Sequence, residues 1–401
     1  MLPLNIDAST RKQFHRALRE SHVVVPTVQV LSLDHKRIAD VSHMLIEGQV
    51  NVVNDSTTTR NCSLSLYDPR GHIGFGDYDP SEGALYLDNM IRVVLSYTWD
   101  GFDDWVDVPV FCGPVTSLSR DADTLAVECQ GKEHLARRAV WEPKSFQAPR
   151  YVVDLIRNIM RRSGETRFDI PSSKDIKKVT LDQFDLYRQS SPWAKAQNLA
   201  HAIDRQLFYD GRGILRLRKL PKRPVWTFTD GDRGTLTSRP RVSFDVENAK
   251  NLVWVKGRKP KGANERVNGW ARLPHDNPLS VQKLGRGPDN LGGVLLEVVE
   301  NDNLKTKAEC EKRAVELVNR RARQAVNVEF DSLPIPHLEP GDLVAVDSSD
   351  LQQEFVLRQF SIPLVAGDSM SVGYTRRMLV GRKAKFNPLF KSVIVDGWVR
   401  L

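Results

Sequence analysis

Short runs of alternating apolar and polar positions fill the first third of the chain. The first run extends from Val23 to Asp34, and its Pro26 indicates an edge strand. Turn-forming sequences such as Asp68-Pro69-Arg70-Gly71 separate it from the runs that follow. These runs are Leu45 to Val53, Cys62 to Tyr67, Met90 to Tyr97, Val106 to Cys112 and Leu125 to Cys129. Short strands at this spacing predict a β-sandwich or barrel.

A helical period precedes these strands and returns after them. Residues 9–21 are expected to form a short amphipathic helix, capped by Ser9 or Thr10, with Phe14 and Leu18 one turn apart. Its expected role is docking, and a neighbouring subunit is one candidate surface. Residues 136–245 are expected to form a small α+β region. Its predicted elements are a helix from Tyr151 that stops at Gly164, a helix capped by Ser191, and a hairpin from Leu207 to Arg218 turned by Asp210-Gly211.

The third segment mixes strands, a polar excursion and one strong helix. Asn251 to Gly257 predicts a strand, and the glycine-rich stretch from Arg258 to Gly293 predicts an exposed loop because it lacks periodicity. Residues 306–323 predict a helix in which Thr306 and Glu309 form a capping box. Return strands are expected at residues 355–364 and 370–380. The last twenty residues carry lysines among aromatics and are expected to need a partner to become ordered.

The stretch from Val326 to Asp347 is the feature around which this segment is organised. Its two predicted strands are joined through Glu339-Pro340-Gly341-Asp342. Proline presets φ at the second position of a turn and glycine accepts a positive φ at the third, so this sequence predicts a type II turn. No chemistry is predicted for Asp342.

Composition indicates a soluble globular protein of two to four domains. The chain has 401 residues, of which 40% are hydrophobic and 27% charged. Its apolar runs are too short for a membrane span, and its first residues lack the apolar core of a signal peptide, so neither export by that route nor membrane anchoring is expected. The cysteines are far apart, which predicts reduced core residues: Cys62, Cys112, Cys129 and Cys310.

Candidate chemistry is weak throughout the sequence, and no catalytic, cofactor-binding or metal site is predicted. The glycines from Gly71 to Gly76 match neither a dinucleotide nor a P-loop spacing. The nine histidines show no metal-binding spacing, and no Gly-x-Ser-x-Gly sequence occurs. An acidic cluster would allow a cation site or a glycosidase-like carboxylate pair, although a solvated hairpin tip is favoured. Its members are Asp100, Asp103, Asp104 and Asp107.

The positive charge is mild and spread along the chain. A net charge of +8 and a pI near 9.3 permit nucleic-acid contact without arguing for it. Alternation places Arg216 and Arg218 on one face of the predicted hairpin, for which a solvated outer face is favoured over a nucleic-acid or acidic-partner surface. The two basic clusters comprise Arg212, Arg216, Arg218, Lys219, Lys222 and Arg223, and Arg313, Arg320, Arg321 and Arg323.

The order of these pieces resembles the tail-tip or baseplate hub proteins of long-tailed bacteriophages. That group is similar to the hub of contractile phage tails and is common among actinobacteriophage minor tail proteins. No single piece is very specific, whereas their order and spacing across residues 23–380 are. The matching pieces are Glu47 to Asp68, Ile91 to Tyr97, Val110 to Ser119, Val127 to Glu133, Trp193 to Ile203, Leu207 to Arg218, Asn251 to Gly257, Leu338 to Val346 and Thr375 to Met378.

The resemblance implies an α+β, mainly β fold with two tube-forming β-barrel domains. It assigns residues 1–22 to an N-terminal helical segment, 23–135 to the first barrel, 136–245 to the α+β domain and 246–380 to the second barrel. The second barrel would carry a loop and helix insertion at 258–325, and residues 381–401 would form a C-terminal extension. These domain boundaries are expectations.

The resemblance also implies a structural, non-enzymatic protein of the virion tail tip, assembled in the host cytoplasm. A homotrimer would form a pseudo-sixfold ring that caps the tail tube, with a central channel for the tape-measure protein and then the genome. Expected neighbours are the distal tail protein, the tail tube and receptor-binding or other tail-tip proteins, with no cofactor. Because phosphate binding would slow DNA passage, the Arg216 and Arg218 face is expected outside the channel. Alternatives are a tail-associated lytic or proteolytic enzyme and a basic nucleic-acid-binding protein.

Overall fold

The protein is an α+β protein in which strands predominate, as the sequence predicts. A computed structural model contains 40% strand and 18% helix. It describes residues 1–54, 58–71, 73, 84–139, 142, 144–147, 150–176, 179–180, 184–186, 190–244, 250–260, 262, 264–275, 277, 279–284, 293–302, 304–324 and 326–376. The chain divides into two compact units. The first comprises Met1–Arg239, Phe330–Gln353 and Leu357–Gly373, and the second Pro240–Glu329, Glu354–Val356 and Tyr374–Leu401.

The helices and strands have the following bounds. The helices are α1 (Ala8–Ala17), α2 (Glu133–Arg137), α3 (Val152–Arg162), α4 (Pro192–Ala202), α5 (Val281–Leu284) and α6 (Lys307–Gln324). The strands up to the middle of the chain are β1 (Val23–Leu31), β2 (Arg37–Asp40), β3 (Leu45–Val53), β4 (Arg60–Tyr67), β5 (Met90–Thr98), β6 (Val106–Asp121), β7 (Thr124–Gln130), β8 (Lys144–Phe146), β9 (Arg150–Tyr151), β10 (Phe168–Asp169), β11 (Val179–Thr180) and β12 (Phe184–Leu186). The remaining strands are β13 (Gln206–Tyr209), β14 (Leu215–Arg218), β15 (Trp226–Thr229), β16 (Arg241–Phe244), β17 (Leu252–Lys256), β18 (Asn268–Arg272), β19 (Leu296–Glu300), β20 (Val326–Ser332), β21 (Leu343–Asp347), β22 (Gln352–Pro363) and β23 (Met370–Arg376).

A long sheet forms the frame of the first unit. Its strand order is β23-β22-β3-β4-β7-β6-β5-β1-β2, and β21 pairs with both β22 and β15. The strands predicted in the first third of the chain are confirmed. Alternating side chains in them, such as Cys62, Leu64 and Leu66, are buried. Strand β6 is longer than predicted and pairs with β5 and then with β7. No sheet closes on itself among the described residues, so the pair of barrels remains a prediction.

Strand β1 is an edge over part of its length, as Pro26 indicated. Strand β2 pairs only with Gln29 to Leu31, which leaves the earlier half of β1 without a strand partner on that side among the described residues. The backbone of Val28 faces that side, where its N–H donates to Ser42 Oγ at 2.9 Å. Pro26 lies two residues earlier and therefore faces the same open side, where its missing N–H removes no ladder bond.

Residues around α3 and α4 have a hydrophobic core of their own. Trp193 is buried among Leu155, Ile156 and Ile159 of α3 and stacks on Tyr209 with ring centroids 5.7 Å apart. The predicted helix signals are confirmed: Ser191 Oγ accepts the Ala194 N–H at 3.3 Å, and Gly164 ends α3 with φ +88°. The hairpin β13–β14 is also confirmed, and β10 pairs with β14 in parallel.

The second unit contains a three-stranded sheet covered by α6. The order is β18-β17-β19, and Val253, Val255 and Ala271 pack against Cys310 and Leu317. The capping box is confirmed by the Glu309 N–H, which donates to Thr306 Oγ1 at 3.2 Å, and by the Thr306 N–H, which donates to the Glu309 carboxylate at 3.0 Å. Strand β16 pairs with β20 in antiparallel register.

Two local predictions are wrong. The stretch from Arg258 to Gly293 is not simply a loop, because it contains β18 and α5, and Trp270 of β18 pairs with Trp254 of β17. Helix α1 is capped by Asp7, whose side chain accepts the N–H groups of Ser9 and Thr10, so neither of those residues is the cap. An acceptor that precedes the helix by one residue satisfies both donors. The predicted extension 381–401 lies outside the described residues.

The cysteines are found in the state that their spacing predicted. Cys62, Cys112, Cys129 and Cys310 are all free and buried. No helix in the described part of the chain is long and apolar enough to cross a membrane.

Candidate functional site

The turn at Glu339-Pro340-Gly341-Asp342 lies in the interior of the first unit. The Asp342 N–H donates to the Glu339 carbonyl at 3.0 Å, and Gly341 has φ +80°, which confirms the type II turn. The backbone of the turn pairs with β22, since the Leu357 N–H donates to the Asp342 carbonyl at 2.8 Å. The side chains of Glu339 and Asp342 are both fully buried. The turn is therefore an internal junction of the first unit.

Arg60 neutralises Glu339 in this interior. Its Nη2 lies 2.5 Å from Glu339 Oε2, and its Nη1 donates to the Val110 carbonyl at 3.0 Å. The Gly211 N–H also approaches Glu339 Oε1, at 3.4 Å. Burial raises the pKa of Glu339, and the charge of Arg60 opposes that rise. One ion pair thus connects β4, the hairpin turn and the turn before β21.

Asp342 binds a second set of cations. Arg218 Nη1 donates to Asp342 Oδ1 at 3.0 Å, while Arg218 Nη2 donates to the Pro340 carbonyl at 2.8 Å. The amino group of Met1 forms an ion pair with the same carboxylate, and burial lowers the pKa of this amino group. Gln206 Nε2 donates to the Pro340 carbonyl at 2.9 Å and to Asn54 Oδ1 at 2.7 Å. We call the residues of this paragraph and the last the turn network.

The turn network corrects the predicted orientation of the arginine-rich hairpin. The side chains of Arg216 and Arg218 are only 15% and 14% exposed, and Arg216 Nε lies 2.9 Å from Asp169 Oδ2. A solvated outer face for this pair is therefore wrong, because each arginine is largely buried and pairs with a carboxylate of its own chain. Lys219, Lys222 and Arg223 of the same cluster are exposed as predicted, whereas Arg212 is half-buried and its Nη2 lies 2.7 Å from Asp210 Oδ2.

Two histidines stack beside the turn network. His337 is fully buried, and its Nε2 lies 3.2 Å from Nε2 of His15 on α1. The rings are 5.1 Å apart with an interplanar angle of 27°. Burial lowers the pKa of His337 well below its usual value, and the positive charges of His15, Met1 and Arg11 lower it further. Burial, followed by Arg11 and Arg19, also lowers the pKa of His15. The lowered pKa values favour the neutral form of both imidazoles.

Acidification is expected to destabilise the protein through this pair. Because the pKa of each histidine is lower in the folded state than in the unfolded state, the unfolded state binds protons first as the pH falls. The stabilising contribution of the histidine is therefore complete above about pH 6.5 and is lost as the pH falls below that value. We expect the free energy of unfolding to fall between pH 7 and pH 5 by up to about 1.4 kcal/mol per pH unit for each histidine. Urea unfolding across this range measures the slope.

Matched histidine variants isolate this contribution from that of the buried carboxylates. The variant His337→Gln is expected to flatten the pH slope, whereas His43→Gln, at an exposed position, is expected to leave it unchanged. An equal slope in wild type and His337→Gln would show that other groups cause the acid sensitivity.

The positive φ of Gly341 gives a second prediction. A β-branched residue is strained there, so Gly341→Val is expected to cost roughly 1 to 3 kcal/mol of unfolding free energy. A Cβ would also lie 3.0 Å from Leu220 Cδ2, which must move. Gly341→Asn is the matched control, because asparagine tolerates this backbone region and should lose less. Equal losses in the two variants, measured by urea unfolding, would mean that crowding and not backbone strain decides the cost.

The other sequence candidates do not converge on a reactive site. Asp107 accepts a hydrogen bond from Ser96 Oγ at 2.6 Å, and the exposed acidic residues lie at the tip between β5 and β6, as favoured. Among the described residues, no group of three or more histidine, cysteine or acidic side chains could hold a metal. Of the glycine-rich stretch 71–76, only Gly71 and Ile73 are within the described residues.

Sequence reasoning missed the partners of the turn. Arg60 and Glu339 are 279 residues apart, so no local pattern pairs them. A lone arginine at the start of an apolar strand was the available signal for Arg60. A second buried pair was also missed: Lys132 Nζ lies 2.7 Å from Glu165 Oε2, and both side chains are nearly inaccessible.

Comparisons with known proteins give the fold. No protein-family model matches the sequence, and a search of curated proteins found no match. Among solved structures, the chain is similar to a tail protein from Neisseria meningitidis MC58, with a TM-score of 0.58, 11% identity and coverage of 88% of this chain and 96% of that one. It is also similar to the 43 kDa tail protein of prophage MuSo2 from Shewanella oneidensis, with a TM-score of 0.56, 12% identity and coverage of 88% and 98%. The resemblance seen in the sequence is thus confirmed in the fold, and the chain has the fold of these phage tail proteins.

Proposed function

We propose that this chain is a structural hub protein at the tail tip or baseplate of a bacteriophage. The observation that carries the proposal is the shared fold, which covers 88% of this chain and almost the whole length of two tail proteins. The names of these neighbours describe tail components and not enzymes, which supports a non-enzymatic role in the virion. The protein would be assembled in the host cytoplasm.

Three copies would form a ring below the tail tube. In this arrangement residues 23–135 and 246–380 are the two tube-forming barrel domains, with 136–245 between them and 258–325 inserted in the second. The N-terminal segment 1–22 and the extension 381–401 complete the chain. The exposed apolar strand residues Val23, Val25 and Ile38 support a subunit interface, because a face of this kind is normally covered in closed rings.

The ring would surround a channel for the tape-measure protein and then for DNA. Its neighbours would be the distal tail protein, the tail tube and the receptor-binding or other tail-tip proteins. The internal pairing of Arg216 with Asp169 and of Arg218 with Asp342 supports this role. Arginines that carboxylates of the same chain already neutralise bind phosphates weakly, so they would not hold a passing genome.

Electron microscopy of the purified protein and of virions tests the proposal. Threefold rings of the full chain, and label from a specific antibody at the tail tip, are the expected results. A protein that stays monomeric and is absent from virions would contradict it. Digestion of host cell wall, or a salt-dependent DNA mobility shift, would instead support one of the two alternative functions.

A further inference from the structure

The outer face of β1, β5 and β6 is covered over only part of its length. Residues that pair between neighbouring strands form four rows across this face. The rows are Val23–Thr98, Val25–Ser96–Asp107, Thr27–Val94–Pro109 and Gln29–Arg92–Cys112. The turn of the β13–β14 hairpin lies on the rows nearer to Cys112. A Cβ on Gly211 would overlap the Pro109 carbonyl oxygen, and a Cβ on Gly213 would lie 2.9 Å from the Cys112 Cβ. The hairpin therefore covers one end and leaves the rows of Val23 and Val25 bare.

The bare end is an apolar groove with an acidic rim. Val25 and Trp105 are 45% and 46% exposed, and together with Ser96 and Asp107 they line a shallow groove of about 380 Å³. The turn beside the groove carries exposed carboxylates at Asp100, Asp103 and Asp104. Exposed valines beside an exposed tryptophan are typical of a surface that another chain covers. The rim indicates that the covering chain is basic.

A second strand cannot readily extend the sheet at this place. Pro26 occupies the open edge of β1 and lacks the N–H that an added strand would need. Recognition here must therefore use the side-chain face, where the groove lies.

The last part of this chain has the complementary chemistry. Residues 377–401 follow the last described residue, Arg376, and contain six basic residues against one acidic residue. The basic residues are Arg377, Arg382, Lys383, Lys385, Lys391 and Arg400, and the acidic one is Asp396. The apolar residues between them are Phe386, Leu389, Phe390, Val393, Ile394, Val395 and Trp398, among others. When extended, 25 residues reach about 80 Å, which is enough to cross to a neighbouring molecule.

We propose that the groove binds residues 377–401 of a second copy of this chain. Apolar side chains of that segment cover Val25 and Trp105, and its lysines and arginines lie against the acidic rim. This assignment rests on the proposed function, because a ring places each copy beside the next. The groove thus links neighbouring copies of the ring through residues 377–401, and we call this contact the clasp.

Cysteine cross-linking of the 401-residue chain tests whether the groove binds this segment of a second copy. One preparation carries Val25→Cys and a second, distinguishable by size, carries Val395→Cys. The four native cysteines are buried and do not compete under mild oxidation. The expected result is a disulfide-linked species that contains one chain of each kind. Adding Asp103→Lys and Asp104→Lys to the first preparation is expected to lower its yield about tenfold, because the rim then repels the segment.

The matched control replaces Val25→Cys by Val298→Cys. Val298 is 43% exposed on β19, so it presents a thiol of similar accessibility without the acidic groove. A yield no higher than with Val298→Cys would overturn the proposal. So would a disulfide that forms only within one chain when Val25→Cys and Val395→Cys are combined, since the segment would then bind its own copy.

Electron microscopy of the same preparations separates the two proposals. Threefold rings without the mixed disulfide would overturn the clasp and leave the hub function intact. An absence of rings in the wild-type protein would contradict the hub function itself.

Discussion

Replacing Arg60 with methionine is expected to lower the free energy of unfolding by about 3 to 5 kcal/mol. The change leaves Glu339, which is fully buried, without its cation at 2.5 Å. A carboxylate in that position must either stay charged without a counter-ion or take up a proton, and both options weaken the folded state. Since domains are usually stable by only about 5 to 15 kcal/mol, urea unfolding should show a large shift.

Two further variants distinguish an unpaired charge from simple loss of packing. In the double variant Arg60→Met, Glu339→Leu the buried charge is gone, so most of the lost stability should return. In Arg138→Met the exposed pair with Asp88 is removed, and the loss should stay below about 1 kcal/mol. If the double variant is no more stable than Arg60→Met alone, the cost lies in packing and the charge argument is wrong.

Replacing Phe14 with alanine is expected to release α1, at a cost of about 3 to 5 kcal/mol. Phe14 is fully buried, and its ring lies edge-on to Tyr97 at 5.5 Å and close to His337 at 5.4 Å. The cavity left by the ring would be too well enclosed to collapse fully. Hydrogen exchange of α1 and urea unfolding together measure the effect.

The control for this variant lies on the same helix. Gln13 is exposed, so Gln13→Ala should change stability by no more than about 0.5 kcal/mol. A Phe14→Ala protein whose α1 exchanges as slowly as in wild type would show that other contacts hold the helix.

Local patterns in the sequence predicted most of the elements. The alternation at Cys62 to Tyr67 fixes which side chains face the core, because a strand has a period of two. Caps such as Ser191 and the pair Thr306 and Glu309 act within one helical turn, so the sequence contains all the information they need. The positive φ at Gly341 follows equally from its neighbours Pro340 and Asp342.

The failures arose where distant residues decide the outcome. Alternation placed Arg216 and Arg218 on one face, but it could not reveal that Asp169 and Asp342 lie within ion-pair distance of them. The stretch that contains β18 has no strong periodicity, and pairing with β17 makes Trp270 part of a sheet. Asp7 was overlooked as the cap of α1 because two equally good candidates follow it.

At the internal turn, the charged groups of the turn network pair with one another. Glu339 and Asp342 have acceptor oxygens filled by Arg60, Arg218 and the amino group of Met1. The two carboxylates and Arg60 are buried, whereas Met1 and Arg218 keep 18% and 14% of their side-chain surface exposed. The structural role of the turn network is to hold together strands that are far apart in the sequence.

The sequence positions of the turn network also determine when the first unit can complete its folding during synthesis. Arg60 leaves the ribosome 279 residues before Glu339, and Arg218 leaves it 124 residues before Asp342. Until those carboxylates emerge, the nascent chain holds cationic side chains that the completed interior would bury. Contacts this distant in sequence close slowly, so we expect late folding and a dependence on chaperones while translation proceeds.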